Sequence, residues 1–352
     1  MRCIVADVGG TTLRTACWDS GLQALTGVRR VPVRGTGGLD AEQPAEVQRA
    51  VVDQLTEEIE LVRGGPEGLG ATAVGVAFAG PVTADGTVTG APTVWGGGGG
   101  PLPLAELLAG RTGLPVSVVN DTTAAAWRYA SPGGPPFCLF TISSGISNKI
   151  YVGGTVLVDD AGHGGELGHL LCDPAPDAPR CDCGGRGHLG ALASGRGLLA
   201  AARRAARARP AAYAASRLAE LCAAGSPPVP EDITNRALAR AAREGDPFAV
   251  EVLRSGLAHL ATAVSSVFLG TGIRRYVFVG GFALAVGERF LDVLAEELCR
   301  VGCFGLTAPD VRDMLHLGAP DDDHCLIGMG RLLAGAAPSN TTRVTADSIL
   351  TK

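Results

Sequence analysis

The chain opens on RCIVADV (residues 2–8), a β-branched apolar run that ends in Asp7 and passes through Gly9-Gly10-Thr11-Thr12 into a second short run, LRTACWD. Two strand-like runs joined by a tip of small residues read as a hairpin. The pattern returns at 137, where FCLFTIS is followed by the turn SSGISN and a returning strand, KIYVGGTVLV. A fold for this chain must hold the same strand–turn–strand unit twice. After the first hairpin come a helix over 44–63, a buried strand over 72–80 ended by Gly80-Pro81, a helix over 104–112, a buried strand over 116–121 and a helix over 122–130. After the second come mostly helical stretches over 196–225 and 231–269, a buried strand over 274–281, a helix over 283–300, a strand near 311–316 and a last helix over 325–335. The order is that of an α/β protein with two similar halves and a ligand cleft between them. The expected boundaries are 1–130 for a smaller N-terminal domain and 131–321 for a larger one. A helix over 322–336 packs back on the first, and 337–352 is a flexible tail. The five glycines 96–100 read as a mobile loop.

Composition narrows the class. A length of 352 residues suits two domains, and 46% apolar residues supply a sizeable core. The net charge of −5 is spread without blocks, which argues against a nucleic-acid surface. With neither an uninterrupted run of about 18 apolar residues nor a signal-peptide pattern, a soluble cytoplasmic protein is expected, with no membrane partner. Ten cysteines in that setting read as buried thiols or metal ligands rather than a disulfide framework. Glycine (51) and proline (22) are so frequent, beside many Ala and Arg, that isolated glycines carry little weight.

Four places carry chemistry. Backbone N–H groups at the tip Gly9, Gly10, Thr11 and Thr12 can hold phosphate oxygens, and Asp7 at the strand end can hold Mg²⁺ through water; an ordinary turn with an exposed Asp is the alternative. Ser144 and Gly145 in the second hairpin can form another phosphate loop, or a plain turn. Gly280-Gly281 after YVFV lets backbone approach a flat ligand such as adenine, or simply turns strand into helix. Asn120-Asp121 ends one strand and opens a helix. A carboxylate there can take a proton from a substrate hydroxyl, and it can equally cap the helix. Three such loops and one carboxylate, in this order, are the parts phosphoryl transfer uses.

On these motifs the chain from Arg2 to about Gly335 resembles the ROK family of repressors and sugar kinases, with bacterial glucokinases nearest in pattern. DVGGTT is similar to the first phosphate loop, VVNDTTAAA to the catalytic segment, VFVGG to the adenosine loop and LGAPDDDHCLIGMG to the C-terminal signature. The resemblance implies two actin-like ATPase (ribonuclease H-like) domains, ATP with Mg²⁺, and Asp121 as catalytic base. It implies substrate contacts from Gly80, Thr93, Asn120, Asp121, Glu166 and His169, and a homodimer through the larger domain. The family pattern GExGH followed by CxCGxxGC binds one Zn²⁺ through a His and three Cys. Here His169, Cys181, Cys183 and His188 stand in those places, so the last Cys is a His. Zinc accepts either ligand, and four protein ligands imply a structural site; a metal-free loop is the alternative.

Three departures bear on substrate. Glucokinases place a Glu, which contacts the anomeric end of glucose, where this chain has Gly190, and an Asn in the segment where it has Thr93. Their second phosphate loop, GTGIGGG, is SSGISNK here. Lys149 then either adds a cation near the phosphates or points to solvent, the second being the plainer expectation. The pattern is that of a hexokinase remodelled at the anomeric end. The expected activity is phosphorylation of the exocyclic primary hydroxyl of a C7-cyclitol of valiolone type in secondary metabolism. An aldohexose kinase and a non-catalytic sugar-binding regulator are the rivals. A repressor would need a helix-turn-helix before the first strand, and the strand begins at Arg2, so an enzyme is expected.

Overall fold

The computed structural model describes residues 1–36, 43–223 and 228–335; the expected tail over 337–352 lies outside them. Two compact units form. One comprises Met1–Arg128 and, among the described residues, 325–335; the other is Tyr129–His324.

The first unit holds β1 (Arg2–Val8), β2 (Thr12–Asp19), β3 (Ala24–Pro32), β4 (Ala71–Phe78) and β5 (Val116–Asn120), in the sheet order β3-β2-β1-β4-β5. The second holds β6 (Phe137–Ile142), β7 (Ile146–Val152), β8 (Thr155–Val156), β9 (Tyr276–Val279) and β10 (Leu315–Leu317), in the order β10-β9-β6-β7-β8. Each sheet is an antiparallel meander of three strands whose first strand pairs in parallel with a fourth, which pairs in parallel with a fifth. The two halves therefore match strand for strand. β1 and β4 are buried along nearly their whole length, which is why both read as continuous apolar runs.

Several elements differ from the sequence reading. β3 was not expected. It is an edge strand with Arg29 and Arg30 exposed, so it lacks the apolar run that marks a central strand. β7 begins at Ile146, paired with Ile142, so the turn shrinks to Ser143–Gly145 and Ser147, Asn148 and Lys149 belong to the strand. Gly153 and Gly154, at φ 61° and 89°, fold the rest back as β8. Gly287 splits the expected helix over 283–300 into Gly281–Val286 and Glu288–Val301. Residues 311–313 lie in helix Ala308–Asp313, opened by a Thr307–Asp310 capping box, and the strand follows it. Helix Pro247–Thr271 is long and apolar enough to cross a bilayer on length and composition. Its Leu253, Leu257, Leu260 and Val264 are instead buried in the core of the second unit.

The last described helix, His324–Gly335, closes the first unit. Leu326, Met329 and Leu333 pack with Val5, Trp18 and Ala77 on one face of the sheet. Close approach depends on glycine: a Cβ on Gly328 would lie 1.7 Å from the Ala124 carbonyl oxygen, and one on Gly330 would lie 2.2 Å from the Trp18 ring. Gly328→Ala is therefore expected to lower stability by about 1–3 kcal/mol through overpacking, read as a lower urea midpoint. Gly335→Ala, with nothing within 4 Å of the added methyl, should leave the midpoint unchanged.

Candidate active site

In the first unit the residues singled out by sequence meet at the C-terminal ends of three parallel strands, where open α/β sheets bind ligands. Val8 and Asn120 flank Phe78 in register. The strand ends are tied by Ala79 N donating to Val8 O (3.0 Å) and Asn120 Nδ2 donating to the Gly80 carbonyl (3.0 Å). Gly9 N closes the hairpin tip on Thr12 O at 3.0 Å, and Thr11 O accepts from Val33 N at 3.1 Å. Thr93, in the short helix Pro92–Trp95, lies against this tip; a Cβ on Gly10 would come within 2.8 Å of its carbonyl oxygen. The glycine thus lets two chain segments touch beside the strand ends.

Asp121 is the first residue of helix Asp121–Tyr129. The cap is Asn120 rather than Asp121: its Oδ1 accepts from Thr122 N (3.0 Å) and Thr123 N (3.2 Å). Asp121 Oδ1 accepts from Thr122 N (2.7 Å), Asn120 Nδ2 (2.9 Å) and Thr122 Oγ1 (3.2 Å), which fixes the carboxylate. Asp7 is 3% exposed and pairs through Oδ2 with Arg14 at 2.6 Å. Burial pushes the Asp7 carboxyl up to about 6; Arg14 pulls it down, and the charge of Asp121 pushes it further up. A buried and a half-buried carboxylate that repel each other, with the Arg14 guanidinium beside Asp7, form a setting that a divalent cation would relieve.

Two neighbours here were missed. Arg14 sits directly opposite Asp7 in the β1–β2 register, so the hairpin register would have found it. Cys325 donates Sγ–H to the Asp121 carbonyl at 3.4 Å, and no local pattern links residues so far apart in sequence.

The remaining candidates lie in the second unit. Ser143 N donates to Gly145 O (3.0 Å), shaping the turn that holds Ser144, and Gly195 N donates to Ser143 O (2.8 Å). Gly280, at φ 93°, ends β9 so close to β6 that a Cβ would lie 2.6 Å from the Ile142 oxygen, and Gly281 opens the next helix. Glu166 precedes the short 3₁₀ turn Leu167–His169. Lys149, expected to face solvent, is instead 2% exposed and donates to the Gly164 carbonyl. The structure thus sets these residues out in two groups, one per unit.

His169, Cys181, Cys183 and His188 come together: one ligand atom from each lies within 4.8 Å of all the others. Cys181 Sγ is 3.5 Å from His169 Nδ1 and Cys183 Sγ is 3.2 Å from His188 Nδ1. Zn–S and Zn–N bonds of about 2.3 and 2.0 Å at tetrahedral angles put ligand atoms at about this spacing, so the donor set fits zinc. Backbone closes the loop, with Cys172 N and Asp173 N both donating to Gly187 O and Cys181 N to Gly185 O. The ten cysteines, all among the described residues, form no disulfide.

Comparison with known proteins identifies the family. The model of the ROK family matches residues 3–332. A C(7)-cyclitol 7-kinase from Streptomyces hygroscopicus subsp. jinggangensis is 55% identical over 331 residues, covering 94% of this chain and 93% of that protein. A 2-epi-5-epi-valiolone 7-kinase from Actinoplanes sp. is 31% identical over 353 residues, covering 95% and 93%. The crystal structure of a ROK family glucokinase from Streptomyces griseus, in complex with glucose and AMPPNP, superposes with a TM-score of 0.72 at 25% identity, covering 94% of this chain and 99% of that one. A hairpin-and-crossover sheet present twice, glycines at the strand ends and a family match over residues 3–332 lead to one conclusion: this chain belongs to the ROK family.

Proposed function

We propose that this protein is an ATP-dependent kinase acting on the exocyclic primary hydroxyl of a C7-cyclitol. The observation that carries the reading is the 55% identity, over nearly the full length of both chains, to a C(7)-cyclitol 7-kinase. The geometry supports it. Asp121 accepts the proton of the attacking hydroxyl, and its carboxylate is already held through Oδ1 by Asn120 and Thr122. The hydroxyl oxygen then bonds to the γ-phosphorus as the bond to the ADP oxygen breaks. Backbone N–H groups of Gly10 to Thr12, in the tip that the Gly9 N–H closes, and of Ser144-Gly145, hold the phosphates, Gly280-Gly281 lie against the adenine, and Asn120, Gly80, Thr93, Glu166 and His169 hold the ring. Asp7 would hold Mg²⁺, which neutralises charge on the phosphates. With this reading go a cytoplasmic location and a homodimer through the larger unit.

Asp121→Asn is expected to lower kcat by roughly 10²–10⁴-fold, the usual worth of a general base. The helix cap belongs to Asn120, so the circular dichroism spectrum and melting temperature should stay near those of the wild type. A folded Asp121→Asn protein with normal turnover would exclude Asp121 as the base.

His169, Cys181, Cys183 and His188 are proposed as ligands of one structural Zn²⁺ that ties the Glu166 loop to residues 181–188. Elemental analysis of protein purified without added metal should find one zinc per chain. Cys181→Ala should lose it and melt earlier, because metal binding is linked to folding. Metal-free native protein with an unchanged melting temperature would remove the site.

Gly190 carries the substrate argument. It is buried, and a Cβ there would point at the Gly168 carbonyl (3.2 Å), within the Glu166–His169 segment. Without an acceptor at this position, glucose lacks a charged hydrogen bond worth about 1.5–3 kcal/mol, one to two orders of magnitude in affinity. The wild type should therefore prefer a C7-cyclitol to glucose in kcat/KM. Gly190→Glu should shift the ratio toward glucose, at the cost of a small displacement of Gly168. The phosphate should appear on the exocyclic carbon, seen as a changed NMR shift there. A higher kcat/KM for glucose than for every cyclitol tested would replace this reading with a glucokinase.

A further inference from the structure

Lys149 is a lysine shut away from water inside the second unit, with its side chain 3% exposed. It stands on β7 opposite Leu139, and its ammonium donates to the Gly164 carbonyl. Nζ lies 3.7 Å from Oε1 of Glu166, whose own side chain is 57% exposed. The loop is shaped to pass over this side chain. Gly164 and Gly165 take φ values of 137° and 78°, and a Cβ on Gly165 would meet Asn148 O at 1.9 Å and Lys149 Cδ at 3.2 Å. Asn148 holds the same loop, with its N donating to Gly165 O (3.2 Å) and its Oδ1 accepting from Leu167 N (3.0 Å). Two consecutive residues of β7 thus grip residues 164–167 by backbone and by charge.

An ammonium removed from water is costly unless acceptors meet it, and this one meets a carbonyl and a carboxylate. The carboxylate belongs to the residue assigned above to the ring hydroxyls. We infer that Lys149 is a positioning residue for substrate: its buried ammonium holds the Glu166 carboxylate aimed, so that the exposed carboxylate accepts hydroxyls of the cyclitol without reorganising. This rests on the cyclitol-kinase reading. The cation acts from behind the acceptor, so its loss should be felt by the ring substrate and not by the nucleotide. A lysine reaching the phosphates would show the opposite dependence.

Steady-state kinetics with varied cyclitol and varied ATP separate the two. Lys149→Met keeps the buried volume and removes the charge. It is expected to raise the cyclitol KM about tenfold while the ATP KM stays within about twofold. Lys149→Arg should recover most of that loss. Lys149→Met placed in Glu166→Gln should add little to the effect of Glu166→Gln alone, because the two act as a unit. If Lys149→Met does not fold, Lys149→Gln, which keeps a donor for Gly164 but no charge, serves the same comparison. A rise in ATP KM with cyclitol KM unchanged, or fully additive effects of the two substitutions, would overturn the inference. Turnover of the cyclitol by wild type tests the parent reading separately. If wild type prefers another ring substrate, the ratio of variant to wild type is measured on that substrate and still decides the role of Lys149.

Discussion

The parallel ladder β1–β4–β5 is the constraint on which the candidate site of the first unit depends. Parallel pairing in register brings the ends of three distant segments to one line: Val8, Phe78 and Asn120 are neighbours although more than a hundred residues separate the outer two. Beyond that line the backbone is released, and the released residues are Gly9-Gly10, Ala79-Gly80 and Asp121. The hydrogen bonds from Ala79 to Val8 and from Asn120 to Gly80 continue the alignment past the last paired residue. The carboxylates of buried Asp7 and half-buried Asp121 thereby come close enough to influence each other.

The second unit repeats the topology and uses its ends differently. Its hairpin turn is only Ser143–Gly145, and the residues after it, Ser147 to Lys149, are drawn into β7. The strand that leaves the turn serves as the wall against which the Glu166 loop is held. That loop then runs directly into the His169, Cys181, Cys183 and His188 cluster. The exposed Glu166 carboxylate, a buried cation and four metal-type ligands therefore belong to one continuous piece of structure.

Glycine has a specific use at these junctions. Gly10, Gly165, Gly280 and Gly328 each stand where another segment's carbonyl oxygen would meet a side chain at under 3 Å. Many other glycines of the chain, Gly97 and Gly100 among them, have nothing within 4 Å of an added Cβ. Composition cannot separate the two kinds, because only the neighbour across the gap makes the difference.

What the sequence determined by itself is local. The apolar runs of β1, β4, β6 and β9 are readable because strands buried on both faces need continuous apolar residues. The strand ends marked by Asp7, Gly80, Asn120 and Gly280 are readable because polar and glycine residues interrupt those runs. The repeat of hairpin and crossover, and with it the two-part α/β fold and the ROK resemblance, follows from the order of these local signals. The ligand types of the cysteine–histidine loop were equally visible. Edge strand β3 was not, since a solvated strand with exposed arginines has no apolar signature. Arg14 and Cys325 became neighbours of the carboxylates only through strand register and helix docking. Lys149 read as a cation near the phosphates or, more plainly, a surface lysine, because charge alone suggests solvent. Its burial was decided by a loop that folds over it from residues 164 to 167, and burial of a long side chain depends on what covers it, which no local stretch of sequence records.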